Sequence, residues 1–191
     1  LSVHLDGARI FNAALALETG ASGIAAHADT VSFCLSKGLA CPAGTMLCGP
    51  RPFVERARRM RKMLGGGMRQ AGIIAAAGIV ALTAMVDRLA EDHENARALA
   101  EGLGRVAGLR AHPAHRRTNM VFFEVAGGAE LARRFAAALG ERGVLVGPRS
   151  PVEFRAVTHY GVSGADIQRA VTAAAEAAAV TTGTAIAPAQ G

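Results

Sequence analysis

Apolar residues recur along this chain with two periods, and the switches between them mark its elements. Ser2 to Leu5 reads as a short buried strand, and "DGAR" turns it into a helix from about Ile10 to Glu18, with Gly20 as the stop. Asp29 to Leu35, rich in Val, Phe and Cys, predicts a second strand. "SKGLACPAG" is a loop punctuated by Gly38, Pro42 and Gly44, and Thr45 to Cys48 follows as a strand. A basic helix covers about Pro52 to Leu64, and "GGGMRQAG" then interrupts the periodicity. Ala71 to Met85 is apolar almost all round, which predicts a buried helix. Val86 to Val106 is amphipathic, with Val86, Leu89, His93, Ala96, Ala100 and Leu103 near one face.

Beyond it the pattern gives a strand ("NMVFFEV"), a helix (Ala129 to Arg142), a strand (Val144 to Gly147), a strand ("FRAVTH") and a helix (Ala165 to Val180). That order suggests a small α+β sandwich with one sheet face covered. The composition shift near Met85 sets the boundary between residues 1–85 and a small domain at 86–180. Residues 181–191 have no periodicity and are expected to be disordered.

Composition narrows the function classes. With 51% hydrophobic and 19% charged residues in a chain of 191, the expectation is a soluble globular protein. The net charge of +6 comes almost wholly from arginine, aromatics are 4%, and no Arg/Lys tract exceeds two residues, so a nucleic-acid partner is not expected. In "RPFVERARRMRKML" six of fourteen residues are cationic, which reads as a solvated helix face packing on Phe53, Val54, Met60 and Met63. The apolar run Ala71 to Val86 draws eight of its 16 residues from Ala and Gly, too short and too weakly hydrophobic for a membrane span. Cys34, Cys41 and Cys48 lack zinc-site spacing and are odd in number, which suits reduced thiols in a cytoplasmic protein. The start "LSVHLDGARI", without Met and in mid-strand, suggests a piece of a longer protein.

Candidate chemistry centres on Lys37, one of two lysines beside nineteen arginines. Arginine serves for ordinary surface charge, but guanidinium cannot lose its proton and attack a carbonyl. Lys37 therefore suggests a Schiff-base amine. Asp6 closes an earlier strand as Lys37 closes a later one, and in α/β sheets ligands gather at the carboxyl ends of strands. A carboxylate and an amine there suit pyridoxal phosphate, where the carboxylate keeps the pyridine nitrogen protonated. A buried Asp–Lys ion pair accounts for the spacing as well. His4, two residues from Asp6, lies on the same strand face and reads as either a supporting residue or a core histidine. His159 reads as a strand cap near the site. His93, His112 and His115 form no convincing metal set.

The motifs "HLDGARIFNA", "SFCLSKGLACPAGTMLCG", "RKMLGGGMRQAGIIAAAGIVAL" and "FRAVTH", in order over about residues 3 to 175, strongly resemble the low-specificity L-threonine aldolases. These belong to the β-eliminating lyase group of pyridoxal-phosphate enzymes. The resemblance implies an α/β, aspartate-aminotransferase-like architecture of fold type I: residues 1–85 as the C-terminal part of the cofactor-binding large domain, and 86–180 as the small domain. It implies aldol cleavage of L-threonine or L-allo-threonine to glycine and acetaldehyde, in a homo-oligomer such as a dimer or tetramer. Lys37 would form the internal aldimine and Asp6 would pair with the pyridine nitrogen. Arg9 and Arg155 would hold the substrate carboxylate, and Arg69 would reach cofactor phosphate, from a neighbouring subunit. Without the resemblance, Arg9 reads as a helix-end ion pair and Arg69 as a solvated loop charge. Arg155 is harder to explain blandly, because an unpaired buried charge is costly. The ring-stacking histidine, the phosphate loop and the residues handling the hydroxyl would lie before Leu1. Alternatives are another fold-type-I lyase acting on β-substituted amino acids, or a non-catalytic interaction module. In the complete protein, borohydride reduction is expected to fix the cofactor to Lys37, and Lys37→Arg to abolish the cofactor absorbance band. A labelled peptide containing Lys62 would overturn the assignment.

Overall fold

The computed structural model describes residues 1–111 and 118–182. His112, His115 and the segment 183–191, most of the expected disordered tail, lie outside the described residues. The chain divides into two compact units, Leu1–Ala90 and Glu91–Gly191.

The first unit is built on a three-stranded sheet in the order β1–β2–β3: β1 (His4–Asp6), β2 (Thr30–Cys34) and β3 (Thr45–Cys48). β1 and β2 run parallel, joined through α1 (Ile10–Ala16) and α2 (Ala21–Ala25), and β3 returns antiparallel. Alternation sorts the side chains by face: Leu5, Val31 and Phe33 point one way, His4, Asp6, Thr30, Ser32 and Cys34 the other. The apolar face meets α1, where the Phe11 and Phe33 rings pack edge to face at 5.4 Å. Leu35, Leu39, Cys41, Ala81 and Leu89 form the buried centre.

Several expectations are corrected here. β1 starts two residues later than expected and is largely exposed, because one of its faces is polar. α2 has no counterpart in the sequence pattern, because five residues carry too little periodicity. α3 (Arg51–Met63) buries part of Phe53, Val54 and Ala57, but Met60 and Met63 are exposed, so the apolar stripe is narrower than the sequence suggested. α4 (Gly72–Ala84) is not buried all round. Gly78 and Ala81 face the core, where Leu35 Cδ1 comes within 3.2 Å of where a Gly78 Cβ would stand, while Ile73 is 82% and Ile79 64% exposed. A helix apolar on every side does not choose a face by itself.

The second unit carries an antiparallel sheet in the order β4–β5–β7–β6: β4 (Leu109–Ala111), β5 (Met120–Val125), β7 (Glu153–Val157) and β6 (Gly147–Pro148). One face packs on α5 (Leu89–Gly104), α6 (Ala129–Glu141) and α7 (Gly164–Thr182) around Phe123, Phe135 and Phe154. Phe123 stacks on Phe154 at 5.6 Å and meets Phe135 edge-on at 6.2 Å. Aromatic contacts of this kind add roughly 0.5–1.5 kcal/mol each beyond area burial. α7 opens with a capping box: Asp166 N–H donates to Ser163 Oγ (3.3 Å), and Ser163 N–H donates to Asp166 Oδ2 (2.8 Å). The Ser163 hydroxyl and backbone bonds hold the Asp166 carboxyl below its usual range. The expected strand Val144–Gly147 shrinks to Gly147–Pro148, because Val144 and Val146 turn into the core without joining the ladder and Val144 N–H closes the end of α6 on Leu139 O. α7 continues through Thr181, whose hydroxyl donates to Ala177 O (2.8 Å), past the expected end at Val180.

α5 and α7 approach closely at Gly102, where a Cβ would overlap Val171 Cγ2 and stand 3.0 Å from Cγ1. Gly102→Ala is therefore expected to lower unfolding stability by about 1–3 kcal/mol, despite alanine's helix preference of about 1 kcal/mol. Gly104→Ala, whose methyl would have its nearest neighbour at 4.0 Å, meets no clash and should leave stability unchanged or raise it by up to about 1 kcal/mol. Urea midpoints of the two variants check this; equal midpoints would refute the close crossing.

Candidate active site

The parallel register pairs His4 with Thr30, Leu5 with Val31 and Asp6 with Ser32, so β1 and β2 end at the same edge. The ladder is extended one step by Gly7 N–H, which donates to Ser32 O at 2.8 Å. Only glycine fits there without displacement, since a Cβ on Gly7 would stand 3.1 Å from Ser32 O and 3.2 Å from Ile10 Cβ. The chain then turns sharply, with Ile10 N–H donating to Gly7 O (2.8 Å). Asp6 Oδ1 accepts from Ala8 N–H at 3.2 Å, which orients the carboxylate at the strand end. Arg9 flanks the start of α1, half-buried, with its Nε shut off from solvent.

On the face shared with Asp6, His4 Nδ1 lies 2.8 Å from Thr30 Oγ1 and Nε2 lies 3.3 Å from Ser32 Oγ. His4 is thus not a core histidine. It bridges two hydroxyls of the neighbouring strand beside the carboxylate. Thr30 and Ser32 escaped the sequence reading. The signal was their spacing of two in "TVSFC", which places both hydroxyls on one strand face.

Lys37 stands on a turn just beyond β2. Ala40 N–H donates to Lys37 O (2.9 Å), Cys41 N–H to Leu35 O (3.1 Å) and Leu35 N–H to Gly44 O (3.0 Å). Gly38 and Leu39 are buried beneath the turn while Lys37 itself is exposed. The amine is therefore carried on an anchored backbone and open to a ligand. Asp6, Arg9 and Lys37 all belong to the carboxyl edge of β1 and β2, the edge where α/β sheets bind ligands.

Arg69 lies in the exposed segment between α3 and α4, next to Gln70 with its left-handed φ of 52°. Arg155 belongs to the second unit, on β7 opposite Phe122. Arg155 is not buried, contrary to what its apolar neighbours in sequence lead one to expect. Phe154 takes the core side of the strand and Arg155 the other, where it is exposed. With Thr158, His159, Arg142, Asp166 and Arg169 it borders a cleft of about 640 Å³ in this unit. The Arg149 guanidinium stands 5.0 Å from the centre of the Phe122 ring, the residue paired with Arg155. His159 Nδ1 lies 2.7 Å from its neighbour's carbonyl, Tyr160 O, just past the strand end.

A β–α–β unit with a carboxylate and a lysine at the carboxyl ends of its parallel strands, followed by a small antiparallel α+β unit, defines the class. A family model described as beta-eliminating lyase matches residues 1–126, and the chain belongs to that family. It is 49% identical over 167 residues to the low specificity L-threonine aldolase of Escherichia coli K12, covering 85% of this chain and 47% of that protein. It is 43% identical over 169 residues to the probable low-specificity L-threonine aldolase 2 of Arabidopsis thaliana, covering 88% of this chain and 48% of that protein. The chain thus spans about half the length of the curated relatives it matches. Among solved structures, a putative L-allo-threonine aldolase from Listeria monocytogenes superposes with a TM-score of 0.76 at 22% identity, over 93% of this chain and 52% of that one. A serine palmitoyltransferase from Sphingomonas wittichii superposes with 0.69 at 18%, over 85% and 42%. The fold is the aspartate-aminotransferase-like, fold-type-I architecture expected from the sequence.

Because the Arg155 side chain is exposed, Arg155→Lys is expected to leave the urea midpoint unchanged within about 0.5 kcal/mol. A loss well above about 1 kcal/mol would identify the guanidinium as an internal structural partner.

Proposed function

We propose that the protein containing this chain is a pyridoxal-phosphate-dependent aldehyde-lyase that cleaves L-threonine and L-allo-threonine to glycine and acetaldehyde. The observation that carries the reading is the placement of Asp6 and Lys37 at the carboxyl ends of adjacent parallel strands, in a chain about half identical to a threonine aldolase over most of its length. The residues present fit the cofactor. Asp6 is an exposed carboxylate already oriented by Ala8 N–H, and Lys37 is an exposed amine on a fixed turn. The cofactor, when bound, supplies the electron sink for the pair released when the Cα–Cβ bond of the substrate breaks.

The chain's own residues divide the remaining work. Lys37 is the amine that would hold the cofactor covalently. Asp6 is the carboxylate that would hold a proton on the pyridine nitrogen. Arg9 and Arg155 would each offer a planar fork suited to the substrate carboxylate. Arg69 on its exposed segment suits phosphate recognition in a neighbouring subunit, so the active assembly is read as a homo-oligomer, a dimer or tetramer. The free thiols Cys34, Cys41 and Cys48 support a cytoplasmic setting, where the product would feed glycine supply.

The test uses the complete protein loaded with pyridoxal phosphate and assayed with L-threonine, L-allo-threonine and β-substituted amino acids. Glycine and acetaldehyde released in equal amounts from the first two support the reading; turnover of β-substituted amino acids alone would replace it with a β-eliminating activity. Asp6→Asn should lower turnover by about 3 kcal/mol or more, comparable to losing one preorganised electrostatic group. Near-normal turnover would remove Asp6 from its role.

A further inference from the structure

The turn that carries Lys37 is not one the chain adopts readily by itself. Ala40, which closes it, has φ +57°, a left-handed conformation that costs a residue with a Cβ roughly 1–2 kcal/mol. Contacts beyond the turn's own hydrogen bonds must hold it. Leu39 does so in part, buried at 3% exposure in the cluster with Leu35, Cys41, Ala81 and Leu89. The other support is polar.

Asn12, in the middle of α1, is 2% exposed, between the buried apolar positions Ile10 and Ala14. A carboxamide in such a place costs free energy unless its polar atoms are engaged. Its side chain lies against the turn that carries Lys37. A Cβ on Gly38 would stand 2.9 Å from Asn12 Oδ1, 3.6 Å from its Cγ and 3.0 Å from Leu89 Cδ2. The residue after Lys37 is thus clasped between a carboxamide and a fully buried leucine, with no room for a side chain. α1 also begins beside Arg9 and shortly after Asp6. This short helix therefore links the strand end bearing the carboxylate to the turn bearing the amine.

We propose that Asn12 is the positioning residue of the active site, its buried carboxamide seating the Gly38 backbone so that the Lys37 amine is held in register with Asp6 across the strand ends. Gly38 is the complementary half of the contact. Asn12 touches neither cofactor nor substrate; it acts through the turn. The inference rests on Lys37 being the cofactor amine.

The experiment uses the complete protein stripped of cofactor. Pyridoxal phosphate is added back, and growth of the protein-bound absorbance band gives the rate of attachment to Lys37. Urea midpoints are measured on the same samples. Asn12→Leu, which fills the space without a carboxamide, is expected to keep its midpoint near wild type and slow attachment about ten- to a hundredfold, the scale set by a displacement near 1 Å. Gly38→Ala should slow it as well. In the double variant Asn12→Ala with Gly38→Ala the new methyl occupies space left by the carboxamide, so the loss should be smaller than the product of the single losses. Attachment at the wild-type rate in Asn12→Leu would overturn the proposal, as would a strictly multiplicative double variant. A lowered midpoint with unchanged attachment would make Asn12 a packing residue only. Borohydride labelling of wild type separates the two levels: label on Lys62 refutes the Lys37 reading itself, and label on Lys37 with the outcomes above refutes only the role of Asn12.

Discussion

The pairing of β1 with β2 in parallel is the constraint on which the rest of the site depends. An antiparallel pairing would send the two strands' carboxyl ends to opposite edges of the sheet. The parallel one sends Asp6 and the run-on toward Lys37 to the same edge, where the backbone ladder stops and leaves space for a ligand. The pairing needs a crossover, and α1 with α2 supplies it in the 23 residues between Asp6 and Thr30. Gly7 then lets the turn into α1 start with no gap after the ladder. The placement of a carboxylate, a guanidinium and an amine at one edge of the sheet follows from that one connection.

What could be read from the sequence depended on how strongly each residue type constrains its surroundings. Lys37 stood out because arginine had taken nearly every other cationic position, and Asp6 because it closes one strand as Lys37 closes another, a spacing that an ion pair explained as well. α3, α6, β3 and β5 were legible through length or through alternation of unambiguous residues. α2 and β4 were not, since five and three residues carry too little pattern. β6 was misjudged because Val144 and Val146 were read as ladder members, when packing on the core demands the same residues.

The polar supports were harder to see for a related reason. Thr30, Ser32 and Asn12 are common residues with many roles, and their meaning comes from register and helix packing that a linear reading lacks. Arg155 shows the opposite error. Its apolar neighbours suggested a buried charge, but strand alternation sends Phe154 inward and the guanidinium out.

The two units differ in how they are filled, and this has a kinetic face. The second has three phenylalanines in mutual contact beneath helices α5, α6 and α7. The first, which holds the carboxylate and the amine, is centred on leucines, a cysteine and an alanine. Opening free energies follow buried apolar contact. Taken as it stands, the chain would let solvent deuterium into the amides of β1 and β2 well before those of β5 and β7. The unit that holds Asp6 and Lys37 would then breathe first, and a ligand bridging its strand ends would slow that breathing by mass action.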